Sequence, residues 1–361
     1  MTKKLSFLAL FVATVMLCAA PAAKPAPSLS AKNAYLPDAT MVVTLNAQKL
    51  NNSFLGDLCD HDLIGTFCSA TDLDVDFSDP IMAQVKSQFE KANITVVSAL
   101  TPADFESNVP PVKKFMVCCE LKEALGPLVD VIIQKAIAQE TDEFTATAIR
   151  INGCKGVKIV DKEGLTMALV FDGNGRYVFL GAPEILKSQL TEEAAAKAPA
   201  RLLAAKANAL DGAFLNAGIV MTDEFKAMAA ASAGPEFAGF ISTIDSFLFS
   251  ASTSGNIINL QLGANFITAE VADAIKSMLD SEVIPQVKAM APALANGADV
   301  SFVNTLACTQ KGSLVKLACS LSESDIMTIG QVISAAYSGS GDSDDYDFED
   351  DEDGIEFEDV Y

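Results

Sequence analysis

The most regular stretch of the chain runs from residue 143 to 190, where short apolar runs are cut at even intervals by polar turn residues. Phe144 to Ile151 is rich in Thr and Ile and ends on Asn152-Gly153, the strongest short hairpin signal because both turn positions need positive φ. Val157 to Val160 forms the return run. Lys162-Glu163-Gly164 turns the chain into Leu165 to Phe171, and Asp172-Gly173-Asn174-Gly175 turns it again into Tyr177 to Leu180. The pattern predicts a four-stranded antiparallel meander, followed by a helix with Pro183 in its first turn.

Elsewhere the elements are sparser. Leu36-Pro37-Asp38-Ala39-Thr40 leads into a strand at Met41 to Leu45, and Asn46 is placed to cap a helix running to about Leu58. Pro80 to Lys91 carries Ile81, Val85 and Phe89 at helical spacing, and Phe115 to Leu121 reads as a strand. An internal echo follows. Phe247 to Thr253 and Ile257 to Ala264 flank Ser254-Gly255-Asn256, with Thr268 opening a helix through about Leu279. Phe302 to Thr309 and Leu314 to Ser320 flank Gln310-Lys311-Gly312, with Ser322 opening another helix whose stripe is Ile326, Ile329 and Ile333. Ser322 and Asp325 form an S-x-x-D capping pair. A lone hairpin is marginally stable, so each unit must lay its helix on its own strands or on a neighbour's. The expected fold class is therefore α+β: two related halves of antiparallel hairpins and meander with helices packed on one face. The Ala-rich stretch Glu192 to Leu210, interrupted by Pro199, sets a boundary near 195. That gives a first domain over 36–195 and a second, with the two hairpin–helix units, over 196–337.

Composition adds destination rather than chemistry. Lys3 and Lys4 precede an uncharged run from Leu5 to Ala20, and Ala20-Pro21-Ala22 fits a signal-peptidase site, so residues 1–22 read as a secretory signal and 23–35 as a Pro-rich spacer. Cys18 raises the question of a lipoprotein signal, but Leu17 stands where a small residue is expected. The leader is short for a span, and no later segment is long and apolar enough to cross a bilayer. The chain of 361 residues holds 25 Lys and Arg against 47 Asp and Glu, a formal charge of −22. That balance excludes a general nucleic-acid binder. After Ser338-Gly339-Ser340-Gly341, residues 342–361 are densely acidic without a base, so 338–361 are expected to be a disordered acidic tail.

Candidate chemistry is thin. The chain has one His, His61 in Cys59-Asp60-His61-Asp62, and no G-x-S-x-G, H-E-x-x-H, P-loop or G-x-G-x-x-G pattern. No catalytic residue and no cofactor is therefore assigned. Carboxylate pairs of the kind used in glycoside hydrolysis stay open as an alternative, since acids are plentiful, though the absence of Trp removes the usual sugar platform. In the tail, Glu349, Asp351, Asp353 and Gly354 match the first half of an acidic calcium loop. Val360 stands where an EF-hand needs its bidentate Glu, leaving weak metal candidates for divalent cations. Cys59 and Cys68 would close a loop of about ten residues, a disulfide worth ~2–3 kcal/mol by loop entropy. Cys118 and Cys119, consecutive in a strand, point to opposite faces, one of them within reach of Cys154 in the meander. A turn at Lys311-Gly312 would set Cys308 opposite Val315. Buried small apolar residues are the competing reading for these strand cysteines. Asn51 and Asn93 head N-x-[ST] triplets.

The Leu36-Pro37-Asp38-Ala39 lead, the Gly175 to Gly181 strand before a helix, and the repeated hairpin–Ser/Thr–helix units resemble a group of secreted bacterial proteins of unknown function built from duplicated α+β units. The resemblance spans residues 36–337 and carries no site residues. The expected function is thus an exported, non-enzymatic periplasmic or envelope scaffold or binding protein, with a basic protein or divalent cations as partners for its tail. The alternative is a secreted hydrolase using carboxylate pairs.

Overall fold

A computed structural model describes residues 29–57, 78–106, 112–138, 144–195, 210–234, 237–294, 301–326 and 328–329. The leader, Cys59, His61, Cys68, the Pro199 stretch and the whole acidic tail with Glu349, Asp351 and Asp353 lie outside them.

Twelve strands join in one antiparallel sheet. In chain order they are β1 (Met41–Asn46), β2 (Asn93–Ser98), β3 (Phe115–Glu120), β4 (Phe144–Ile151), β5 (Cys154–Asp161), β6 (Thr166–Phe171), β7 (Tyr177–Gly181), β8 (Leu215–Val220), β9 (Ile244–Ser254), β10 (Ile257–Phe266), β11 (Ala307–Lys311) and β12 (Leu314–Ser322). Their spatial order is β11-β12-β10-β9-β8-β1-β2-β3-β7-β6-β5-β4. The meander read from the sequence is present as β4 to β7, and Asn152 and Gly153 take φ of 48° and 86° at its first turn. The sheet does not stop at the boundary near 195, because β8 pairs with β1 and so joins the later strands to the earlier ones.

The helices are α1 (Ala47–Asn51), α2 (Phe54–Asp57), α3 (Pro80–Phe89), α4 (Pro102–Glu106), α5 (Leu128–Ala138), α6 (Pro183–Gln189), α7 (Glu192–Ala195), α8 (Asp223–Ala233), α9 (Ala238–Ser242), α10 (Ala269–Met278) and α11 (Ile284–Leu294). Asn46 caps as expected, its side chain accepting from the Lys49 N–H at 2.7 Å, but the helix it opens stops at Asn51 and resumes at Phe54. Asp79 caps α3 through the Ile81 and Met82 N–H groups and also holds Lys135 of α5. Thr268 caps α10 through the Val271 N–H. The π-helical turn Leu279–Val283 carries the chain from α10 into α11.

The expectation of helices on one face is corrected in the first half, where both faces of the sheet are covered. On one side α3 and α5 bring Met82, Val85, Ile132 and Ile133 onto Val157, Leu169, Phe171 and Val178. On the other, α6 and the N-terminal segment bring Leu186, Leu190, Leu29 and Tyr35 onto Val97, Met116, Val170 and Phe179. The strands β6 and β7 are buried at nearly every position, so their side chains feed two cores at once. Packing thus begins inside the Pro-rich stretch. Asn33 fastens it by donating to the Gln189 and Thr191 carbonyls at 3.1 and 2.9 Å.

Two cysteine expectations also change. Cys118 and Cys119 do face opposite sides, but β7 and β6 stand between Cys118 and Cys154, so three strand spacings separate them, roughly 14 Å. The last hairpin turns at Gly312-Ser313, so Cys308 lies opposite Leu317 and not Val315. Burial pushes the Cys119 and Cys154 thiols up to about 12, and Cys118 well above its usual value, which leaves all three protonated and unreactive.

Candidate functional site

In the second half of the sheet the two faces diverge. Successive residues of β9 and β10 point to opposite sides. One side gathers Ser246, Ser250, Ser252 and Gln261, all buried, with Ser250 Oγ accepting the Leu210 N–H at 2.8 Å. The other side is apolar, and its cross-strand registers align into rows.

One row runs Val43, Ala217, Phe249, Leu262, Leu317 across β1, β8, β9, β10 and β12, ending at Cys308 on β11. The next row along the strands is Leu45, Leu215, Ala251, Leu260 and Cys319. No charged side chain stands in either. From Val43 to Leu317 the first row crosses four strand spacings, about 19 Å.

The two ends of this apolar face are roofed. At one end α10 lays Val271, Ala272 and Ile275 over Phe247, Ala264, Phe266 and Val315. At the other, Phe54 and Leu55 of α2, with Phe302 of the 3-10 turn Ser301–Thr305, pack on Ile258 and Leu321. Ala264 and Ile258 mark the covered rows, about 20 Å apart along β10 at roughly 3.4 Å per residue. Between them Leu262 is 51% exposed at the centre of a sheet, with Phe249, Leu317 and Cys319 half-buried around it, while Ala251 is buried and Leu260 leans on the Phe54 cluster. The result is a shallow apolar trough running transverse to the strands.

Its second wall is held by a buried carboxylate. Asp325, 3% exposed, accepts from the Ser322 N–H at 2.8 Å, from Ser301 Oγ at 3.0 Å and from the Phe302 N–H at 3.2 Å, while Ser322 Oγ accepts from the Asp325 N–H. The capping pair expected from S-x-x-D is therefore present, and it also anchors the turn that carries Phe302. Burial alone would raise this carboxyl, but the bonds from Ser322, Ser301 and Phe302 together bring it below the usual carboxylate value.

Acid–base chemistry has a poorer footing. Asp172 is raised by burial, but its Oδ1 accepts the Tyr177 N–H at 2.9 Å across a tight turn, a structural task. Glu120 is engaged by Arg176 at 3.3 Å and by Tyr177 Oη at 3.2 Å. Among the described residues no group of three or more His, Cys, Asp or Glu is arranged to hold a metal ion. No described helix is long and apolar enough to cross a membrane.

No protein-family model matches the chain, and no curated protein matches it. Solved structures of TP0453 are similar in three crystal forms. Form III shows 9% identity and a TM-score of 0.41 over 85% of this chain and 99% of that one. Form IV shows 8% and 0.41 over 84% and 97%, and form I shows 9% and 0.40 over 85% and 98%. At that level of similarity neither fold nor function passes from one protein to the other.

Proposed function

We propose that this chain is an exported binding protein without catalysis of its own, and that the transverse trough is its binding surface for an apolar guest. One observation carries the reading: Leu262, 51% exposed, lies in an uncharged apolar floor that the covering helices leave bare between two roofed ends. Soluble proteins rarely leave a contiguous apolar patch open without a use for it. Orienting polar groups are absent from the two floor rows, which suits a guest selected by shape and apolarity rather than by charge.

Binding of an uncharged solvatochromic dye such as Nile red tests this. Wild-type protein is expected to bind it with a blue-shifted emission. Leu262→Asp is expected to weaken binding at least tenfold while leaving the melting temperature within a few degrees, because the side chain is already half in water. Equal dye binding by both proteins would refute the assignment. Export has its own check: intact mass of the protein recovered outside the cytoplasm should correspond to cleavage after Ala22 or within a few residues of it, and a chain still starting at Met1 or Thr2 would remove this part of the reading.

A further inference from the structure

The trough has two unlike ends. Toward β1 its central row of Leu317, Leu262, Phe249 and Ala217 continues through Val43 into Val96 of β2 and Val117 of β3. Val117 is packed into the core beneath α3 and α5, so this end is apolar and blind. Toward β11, the terminal strand of the described sheet, the row runs out on Cys308 beside α10. Charges gather there. Lys276 is paired to Asp280, both partly in water, and the two act electrostatically on the Cys308 thiol. Asp273 acts on Lys276, and Glu282 is exposed in the turn that follows. Lys311 and Lys316 lie on the opposite face of the sheet by alternation, and Lys288 donates to the Asn304 carbonyl at 3.1 Å. Three carboxylates thus stand against the one ammonium of Lys276.

The lane between the roofs is narrow. Ala264, two residues along β10 from Leu262, lies under α10, and Leu260, two residues the other way, leans on the Phe54 cluster. One row of side chains occupies about 7 Å along the strand. That width takes one alkyl chain at a van der Waals spacing of about 4 Å, and not two abreast. Lengthwise, Val43 to Leu317 spans about 19 Å. An extended tail of roughly 15 carbons matches it, at about 1.25 Å of advance per methylene for C–C bonds of about 1.52 Å in a staggered zigzag. We infer, resting on the reading of the trough as a binding surface, that its guest is a single-chain amphiphile with a cationic head, the tail lying toward β1 and the head beside Asp280 at the β11 end. The uncharged floor selects the tail, and the acidic mouth selects the head.

Displacement of Nile red from the full chain by alkyltrimethylammonium ions of about 8 to 18 carbons, each below its micelle-forming concentration, tests the inference. Affinity is expected to rise about twofold per methylene, because the shallow trough covers one side of the tail, and to level off at about 14–16 carbons. Tetradecyltrimethylammonium is expected to bind at least tenfold more tightly than tetradecanoate. Asp280→Lys, at a side chain already partly in water, should cut that ratio at least fivefold and leave Nile red binding unchanged. Glu163→Lys makes the same change in net charge at the exposed turn between β5 and β6, and should leave the ratio within about twofold. A tail series that is flat or still rising at 18 carbons, tetradecanoate binding as tightly as the ammonium, or a head preference that Glu163→Lys alters as much as Asp280→Lys would overturn the inference. Failure of the trough itself would show separately, as equal Nile red binding by wild type and Leu262→Asp.

Discussion

Gly156→Ala should strongly destabilise the first half of the sheet. Gly156 sits in β5, opposite Val170 of β6 and Ile149 of β4. A Cβ there would lie 1.9 Å from the Leu169 carbonyl oxygen and 2.7 Å from Val170 Cα and Cγ1. The first two obstacles are backbone, so no rotamer change relieves them, and β5 and β6 must part or the face beneath Phe179 must deform. The expected loss is about 3–5 kcal/mol, a fall in melting temperature of roughly 10 °C. Gly164→Ala is the internal control. Gly164 has φ of +82° but nothing within 4 Å of its added Cβ, so backbone strain alone applies, about 1 kcal/mol. Chemical denaturation of both variants checks the contrast, and a Gly156→Ala loss no larger than the Gly164→Ala loss would show that the sheet can yield there.

The second large effect belongs to Asp325. Asp325→Ala leaves the Ser322 N–H, Ser301 Oγ and the Phe302 N–H without their buried acceptor, at an expected cost of about 2–4 kcal/mol. Asp325→Asn should fare nearly as badly, because its amide turns one acceptor oxygen into a donor facing donors. The wild-type carboxyl is held below its usual 3.8, so its contribution is complete above that value and is lost as pH falls through the lower folded value. The stability gap between wild type and Asp325→Asn should thus be constant from neutral pH to about 5 and close in stronger acid. A gap independent of pH down to 2 would contradict the charged form as the stabilising one. Because the same carboxylate holds the turn bearing Phe302, both variants should also weaken dye binding in the trough.

Local chemistry made parts of this fold readable and hid others. The Asn152-Gly153 turn, the Asn46 and Thr268 caps and the Ser322–Asp325 pair act within a few residues, and each stands where the pattern put it. The helix expected from Asn46 ran too long because Asn51-Asn52-Ser53, residues whose side chains favour turns over helix, break it there. α5 and β8 passed unread: Leu128 to Ala138 is apolar enough to suit a buried strand as well as a helix, and Leu215 to Val220 is a short run after a long Ala-rich stretch. The trough was out of reach for a different reason. Alternation along β9, β10 and β12 announces an apolar face, but the alignment of Val43, Ala217, Phe249, Leu262 and Leu317 depends on long-range registers, and its bareness on where α10 and α2 end. The Cys308 register slipped for the same kind of cause, since the turn sits one residue later than the Lys-Gly pair suggested.

The place of β1 in the strand order has a consequence for how the molecule comes into being. Its pairing with β2 is local, but Thr44 and Asn216, cross-strand partners on β1 and β8, are 172 positions apart. A chain threaded across a membrane from its N-terminus would deliver β1 early and β8 much later. Throughout that interval one flank of β1 would be a raw, apolar-faced edge, the kind of surface that captures wrong partners. Completion of the sheet therefore waits on a single late, high-contact-order event, the docking of the β8–β9 segment onto β1, and refolding should show that step as its slow phase. A holdase that shields the β1 flank would be expected to raise the yield of native protein without touching the finished fold.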